Sequence, residues 1–257
     1  MNETISTSKC ESTDREIRIW NVKFSPLTCK EVAAQIDKWL DEGRTGIHLT
    51  GVNPEQVAKA QKDQVLRNAI NMSDIVNIDG ILTVWGLRLK GFKVKERAPT
   101  PNIMNLLLER ASKKHESIYL LGGEDWVVRN TAKFIQERYP QIVISGYQDG
   151  FFKDDGPIIQ EIKRLHPQYL YIALPSPQKE TLIQKIKPMG VADVYYGVGG
   201  AFDTMGGKCR RAPLLFQKLN MEWVWRICQN PRQNGIRVLK YYPSFVKLLF
   251  AKKHTAQ

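Results

Sequence analysis

From Asn102 to Tyr196 the chain alternates between two hydrophobic rhythms. Short β-prone apolar runs (Ser117 to Leu121, Ile142 to Ser145, Tyr169 to Leu174, Val191 to Tyr196) are separated by stretches whose apolar residues recur at helical spacing. The runs predict buried strands. The spaced stretches predict amphipathic helices over Asn102 to Lys114, Glu124 to Arg138, Pro157 to Leu165 and Gln178 to Lys187. Each strand ends in a breaker: Gly122-Gly123, Gly146, Pro175-Ser176-Pro177, and the turn holding Gly197, Gly199 and Gly200. Strands alternating with helices predict βαβ units, hence a mainly parallel α/β sheet with helices on both faces.

Upstream, Glu16 to Phe24 (EIRIWNVKF) alternates and predicts an edge strand or a hairpin arm. Thr28-Cys29-Lys30-Glu31 is a capping box opening a helix through Val32, Ile36 and Leu40 that stops near Gly43. Gly46 to Thr50 predicts a short buried strand. Asn53-Pro54 then reads as N-cap and first helical residue of a helix to about Gln61, with another from Asp63 to Met72. Ile75 to Ile78 is the next strand, and Asp79-Gly80 sits at its end. A short apolar segment leads to Trp85 and a basic loop from Arg88 to Arg97. In such a sheet ligands bind outside the carboxyl ends of the strands. That rule gathers Thr50, Asn53, Asp79, Gly122, Gly123, Gly146, Ser176, Gly199 and Gly200 along one edge.

Charge adds a second theme. The 257 residues carry a formal charge of +12, which points to an anionic partner. From Lys208 onward eleven Lys and Arg residues face a single acid, Glu222, and are interleaved with Leu214, Leu215, Phe216, Trp223, Trp225, Tyr241, Tyr242, Phe245 and Phe250. That pattern suits helices lying on an anionic membrane surface, and equally a helical pair docked on the sheet with solvated lysines. An exposed apolar stripe is also compatible with a homo-oligomer interface. The N-terminus, MNETISTSKCESTDRE, lacks a signal-peptide pattern, and no window is apolar enough to span a membrane. Four scattered cysteines form no CxxC pair, which suits reduced thiols in the cytosol. The expected division is a disordered lead-in over 1–16, a catalytic α/β domain over 17–207, and a basic amphipathic helical appendage over 208–257.

Candidate chemistry follows position. Asp79 directly follows a buried strand, where partial desolvation raises a carboxylate toward a useful general base; its bland role is to cap the helix starting at Gly80. Thr50 and Asn53 end a neighbouring strand, and capping is the bland role of both. Arg97 is a candidate phosphate clamp. Phe152, in the Asp149-Gly150-Phe151-Phe152 turn, is a candidate pocket wall or an ordinary turn residue over the core. Gly197-Val198-Gly199-Gly200 lacks the third glycine of a dinucleotide fingerprint, so a nicotinamide cofactor reading is weak. No P-loop, GxSxG, HExxH or DxD pair is present, the histidines have no ligand spacing, and no cofactor or metal is expected.

The motifs together resemble the WecG/TagA/CpsF glycosyltransferases. GVGGAFD (Gly197 to Asp203), RRAP (Arg210 to Pro213) and MEWVWR (Met221 to Arg226) carry the likeness. LTGVNPEQV, NIDG, ERAP, LLGG and PSPQKE agree with it in order. The resemblance implies a Rossmann-like fold with a C-terminal membrane-binding appendage. It also implies an inverting, metal-independent enzyme that moves a sugar from a UDP donor to a polyprenyl-diphosphate-linked saccharide, on the cytoplasmic face of the membrane. By the same resemblance Asp79 is the general base, with Arg97 and Asn53 in its pocket. Asp203 lies by the nucleotide, near the Gly199-Gly200 turn and Gly122. Arg211, Arg226, Arg232 and Arg237 approach the acceptor diphosphate. The donor is expected to be N-acetylmannosamine-, mannosaminuronate-, glucuronate- or glucose-like, and no nucleic-acid partner is called for.

Several positions depart from the family pattern. Gly51 stands where a threonine is usual, with Thr50 one place early. Asn102 stands where an aspartate is usual, and Lys179 where a glutamine is. One reading of Lys179 is an ion pair with a uronic acid donor or a lipid diphosphate. The competing function is a non-catalytic basic module for RNA or anionic lipid, built on the tail alone.

Overall fold

The structure, a computed structural model, describes residues 16–251, so all but the last residue of the expected lead-in lies outside it. The first feature is a hairpin, β1 (Ile17–Ile19) and β2 (Val22–Phe24). Its two-residue turn, Trp20-Asn21, has both residues at positive φ, 53° and 56°. Such a turn matches the natural twist of paired strands. The chain leaves β2 beside the main sheet, where Ser25 bridges to Asn77.

The main sheet has six strands, all parallel, in the order β4-β3-β8-β7-β5-β6. The strands are β3 (Ile47–Val52), β4 (Ile75–Ile78), β5 (Ser117–Gly122), β6 (Val143–Gln148), β7 (Tyr169–Ala173) and β8 (Val194–Gly197). Helices cover both faces. α1 (Cys29–Asp41), α5 (Thr100–Lys114) and α6 (Asp125–Arg138) bury Ile36, Leu107 and Val128 against one face. On the other lie α2 (Pro54–Ala60), α3 (Gln64–Asn71), α7 (Gly156–Leu165) and α8 (Gln178–Ile186), which bury Val57, Leu66, Ile159 and Ile183. The predicted capping box of α1 forms in both directions between Thr28 and Glu31.

One local expectation is filled out and another changes. The helix read as starting at Gly80 is α4 (Ile81–Leu89), which takes in the whole apolar segment to Trp85 and the start of the basic loop. It is apolar nearly all round and contains Gly86, so no helical stripe marks it in the sequence. Gly86 is small for a packing reason: a Cβ there would lie 2.6 Å from Leu249 and 3.0 Å from Trp20. Gly146, read as a strand-ending breaker, lies inside β6, where a Cβ would meet the Tyr119 ring at 2.7 Å. It belongs to packing and not to the ligand edge.

After β8 come α9 (Ala201–Met205), α10 (Leu214–Lys218), α11 (Glu222–Gln229), a π-helical turn (Pro231–Gly235) and α12 (Ile236–Phe250). α12 docks on α2 and on the hairpin. Phe245 is fully buried and meets Trp20 edge-on at 5.4 Å, and the Trp20 indole N–H donates to the Leu248 carbonyl. Tyr241 takes the Lys59 ammonium over its ring at 4.9 Å. Other apolar side chains of this region, Leu214, Leu215, Leu219, Ile236, Leu239 and Phe250, remain exposed. Among the described residues no helix is long and apolar enough to cross a membrane.

Candidate active site

Asp79 follows β4 directly and its backbone N–H joins β3 at Val52. It does not cap α4; Gly80 is that N-cap and makes no side-chain bond. Instead its carboxylate accepts the N–H of Thr100, the first residue of α5, at 3.3 Å. Burial pushes the Asp79 carboxyl above its ordinary value, and Glu222 pushes it further; Arg226, Arg97 and the Thr100 bond pull it back. A carboxylate raised by burial yet kept ionisable by two arginines is suited to take a proton from a hydroxyl.

Asn77, Thr100 and Tyr196 support it from within the sheet. The Asn77 amide donates to the Ala98 carbonyl at 2.7 Å and toward the Thr100 hydroxyl, and the Tyr196 hydroxyl reaches Asn77 Oδ1 at 3.4 Å. This cluster explains Gly51. A Cβ at that position would overlap Thr100 Oγ1 and lie 3.0 Å from the Asn77 amide. The room that a threonine would need is filled by the hydroxyl of another residue.

Asn53 caps α2, its Oδ1 accepting from Glu55 and Gln56, so only its Nδ2 is left to face a ligand. Thr50 is buried on β3, opposite Gly197 of β8, and its hydroxyl has no hydrogen-bond partner among the described residues. Lys179 is buried as well. Its ammonium lies 2.8 Å from the Glu180 carboxylate and donates to the Ser176 hydroxyl at 2.7 Å. Its charge is matched from inside the protein, without a uronate or a diphosphate.

The nucleotide candidates cluster at the ends of β5, β7 and β8. Gly122 has φ of 117°, and a Cβ there would strike the Ala173 backbone at 2.6 Å, so the close approach of β5 and β7 requires glycine. Gly199, at φ of 51°, faces open space. A Cβ on Gly200 would lie 3.6 Å from the Asp203 carboxylate and 3.7 Å from the Arg226 guanidinium. Burial pushes the Asp203 carboxyl up while Lys208 and Arg226 pull it down. Arg226 therefore acts on both the Gly200 turn and Asp79. Phe152 packs against the core beside α7 and α8, while its neighbour Phe151 is the exposed ring of the turn.

The tail reaches the site through its charges. Arg97 donates to Asn220 and to the Glu222 carboxylate, so the proposed phosphate clamp has an internal partner. Arg211 donates to Asn102 Oδ1 at 2.7 Å, a neutral acceptor. Arg237 forks onto Glu55 at 2.7 and 3.0 Å, fastening α12 to α2. Arg232 is exposed on the π-helical turn. Asn220 and Thr100 fall outside the motifs read from the sequence; Glu222 and Asn77 fall inside MEWVWR and NIDG, but no role was assigned to either. Among the described residues no group of three or more His, Cys, Asp or Glu converges as a metal site.

Comparisons with known proteins identify the family. The model of the "Glycosyl transferase WecG/TagA/CpsF family" matches residues 17–257. The N-acetylglucosaminyldiphosphoundecaprenol N-acetyl-beta-D-mannosaminyltransferase of Bacillus subtilis (strain 168) is 31% identical over 213 residues, 83% of each chain. The enzyme of the same name from Bacillus spizizenii is 28% identical over 81% of this chain and 82% of its own. That of Staphylococcus aureus (strain MW2) is 27% identical over 94% of this chain and 95% of its own. The chain belongs to the WecG/TagA/CpsF family and is a glycosyltransferase.

Proposed function

We propose that this enzyme transfers N-acetylmannosamine, or a closely similar neutral sugar, from a UDP donor to a polyprenyl-diphosphate-linked saccharide. It does so with inversion, without a metal, at the inner surface of the cell membrane, in the synthesis of teichoic acid or another cell-surface polysaccharide. The observation that carries the reading is Asp79: a raised carboxylate at a strand end, flanked by two arginines, in a chain whose relatives bear mannosaminyltransferase names.

The acceptor hydroxyl gives its proton to Asp79 as its oxygen attacks the anomeric carbon. The bond from that carbon to the UDP oxygen breaks, and negative charge develops on the diphosphate. In this reading the stabilisation of that charge falls to Arg226 and the Gly199-Gly200 turn, which are neighbours. The buried Lys179–Glu180 pair leaves no spare cation at that point for a sugar carboxylate, which favours a neutral donor. The exposed apolar side chains of α10 and α12 fit a surface held against lipid.

The test is UDP release from a panel of UDP-sugars, with a polyprenyl-diphosphate-linked N-acetylglucosamine acceptor in liposomes. Acceptor-dependent release with UDP-N-acetylmannosamine, and much slower release with uronic acid donors, is the expected result. Preference for a uronic acid donor would overturn the neutral-donor assignment.

A further inference from the structure

A groove of about 1030 Å³ lies between α1, α4, α5 and α10, next to the loop that leads to Thr100. That is at the top of the range for small-molecule sites, roughly 300–1,000 Å³, and fits something larger than a monosaccharide. Its inner end is formed by Arg97 and Pro99, next to the Thr100 N–H that holds Asp79. Its outer end opens at Trp85 and Lys218, both exposed.

The lining has two chemistries. The apolar part of the lining is made by Ile81, Trp85 and Leu106, over the buried Val84. The rim is basic, with Lys30, Arg88, Lys95, Arg97 and Lys218 against one acid, Glu96. Two of these cations are compensated, Lys95 by Glu31 and Arg97 by Glu222. Arg88 donates only to the carbonyls of Val94 and Lys95, so it keeps its net charge. Lys30 and Lys218 have no ion-pair partner among the described residues, and both are exposed. The groove thus presents three uncompensated cations beside an apolar wall. The wall continues outward onto exposed apolar side chains: Trp85 and Leu89 one turn apart on α4, and Leu214, Leu215 and Leu219 around α10.

We infer that this groove is the binding site for the lipid-linked acceptor, with its diphosphate against Lys30, Arg88 and Lys218 and its first isoprene units against Trp85 and Ile81. The inference rests on the transferase reading above. An amphipathic anion is the ligand class that answers both chemistries at once. Arg97 and Pro99 line the groove and directly precede Thr100, whose N–H is bonded to Asp79, so an acceptor sugar bound there would have a hydroxyl close to the base. Of the expected acceptor arginines, Arg211 touches the groove through Asn102, while Arg226, Arg232 and Arg237 are not among its lining residues.

The test uses the full chain and two acceptors, one polyprenyl and one with a short water-soluble alkyl chain on the same sugar diphosphate. Trp85→Ser, at an exposed position, should raise KM at least tenfold for the polyprenyl acceptor and leave KM for the short-chain acceptor and the donor unchanged. The double variant Lys30→Gln/Lys218→Gln should raise KM for both acceptors, including the soluble one, where membrane attachment plays no part. Binding of radiolabelled undecaprenyl diphosphate in neutral micelles should fall in both variants, a readout independent of sugar transfer. Unchanged acceptor KM and unchanged binding in both variants would overturn the groove. Wild-type protein that binds the lipid diphosphate but transfers no sugar would instead sink the transferase reading and leave the groove standing.

Discussion

Arg97 donates from Nη2 to the Glu222 carboxylate at 2.5 Å, so the one acid between Lys208 and Ala251 ends on an arginine beside Asp79. The pair joins the loop before α5 to the start of α11, and both side chains are mostly buried, at 14% and 23% exposure. The basic tail is therefore part of the site's electrostatics as well as a surface.

Glu222→Gln should loosen the docking of α11 by roughly 1.5–3 kcal/mol, the range for a hydrogen bond to a charged group. It should also move the acid limb of the kcat/KM profile to lower pH. Glu222 raises the Asp79 carboxyl and Arg97 lowers it. Removing the acid and freeing the arginine both favour the ionised base. Faster proteolysis of the C-terminal helices and a pH–rate profile check the two halves separately.

Asp79→Asn should make the protein more stable near neutral pH while abolishing most activity. The folded carboxyl titrates above its unfolded value. The stability it allows is full below the unfolded pKa and falls as pH rises through the folded one, so at neutral pH the ionised group is a burden. A higher Tm for the variant at pH 7, with the difference vanishing in acid, is the expected result. A lower Tm at pH 7 would contradict the sign.

Gly51→Thr should destabilise the protein by about 1–3 kcal/mol through overpacking against Thr100. Because Thr100 holds Asp79, the rate should fall too. Adding Thr100→Ala vacates the space and should recover most of the stability. Denaturant unfolding of the single and double variants measures this; equal loss in both would remove Thr100 as the cause.

Phe245→Ala should cost about 3–5 kcal/mol, the usual range for a buried aromatic. The loss should concentrate in α12, seen as rapid cleavage after about Gly235 and a freed Trp20 in fluorescence, with the six-stranded sheet retained.

Much of the fold was legible because the parallel strands are nearly continuous apolar runs closed by glycine or proline. Ile75 to Ile78 is found with the predicted bounds, and β8 carries the glycine turn as read. The helix starting at Gly80 was named only as something Asp79 could cap, and the extent of α4 stayed hidden because its exposed face carries the apolar Trp85 and Leu89, which erase the helical stripe. Gly146 was misplaced because a glycine that admits an aromatic ring and one that ends a strand look alike in sequence. At the site, Asp79 was visible from its place after a strand. What the sequence could not show was pairing across long distances, such as Arg97 with Glu222 and Arg237 with Glu55. Asn53 and Phe152 show the same limit, since capping and ligand contact, or core and pocket wall, use the same residue types. The departure at Gly51 became intelligible only when Thr100, distant in sequence, was seen to fill its space.

The most direct test of the central claim is acceptor-dependent UDP release by wild type and Asp79→Asn, with UDP-N-acetylmannosamine and the polyprenyl-diphosphate-linked acceptor in liposomes. Loss of a general base typically costs about a hundred- to ten-thousand-fold. The account predicts a fall of that size in kcat, with donor KM little changed and with liposome binding intact. A variant that keeps wild-type kcat would contradict Asp79 as the base and, with it, the mechanism built on this site.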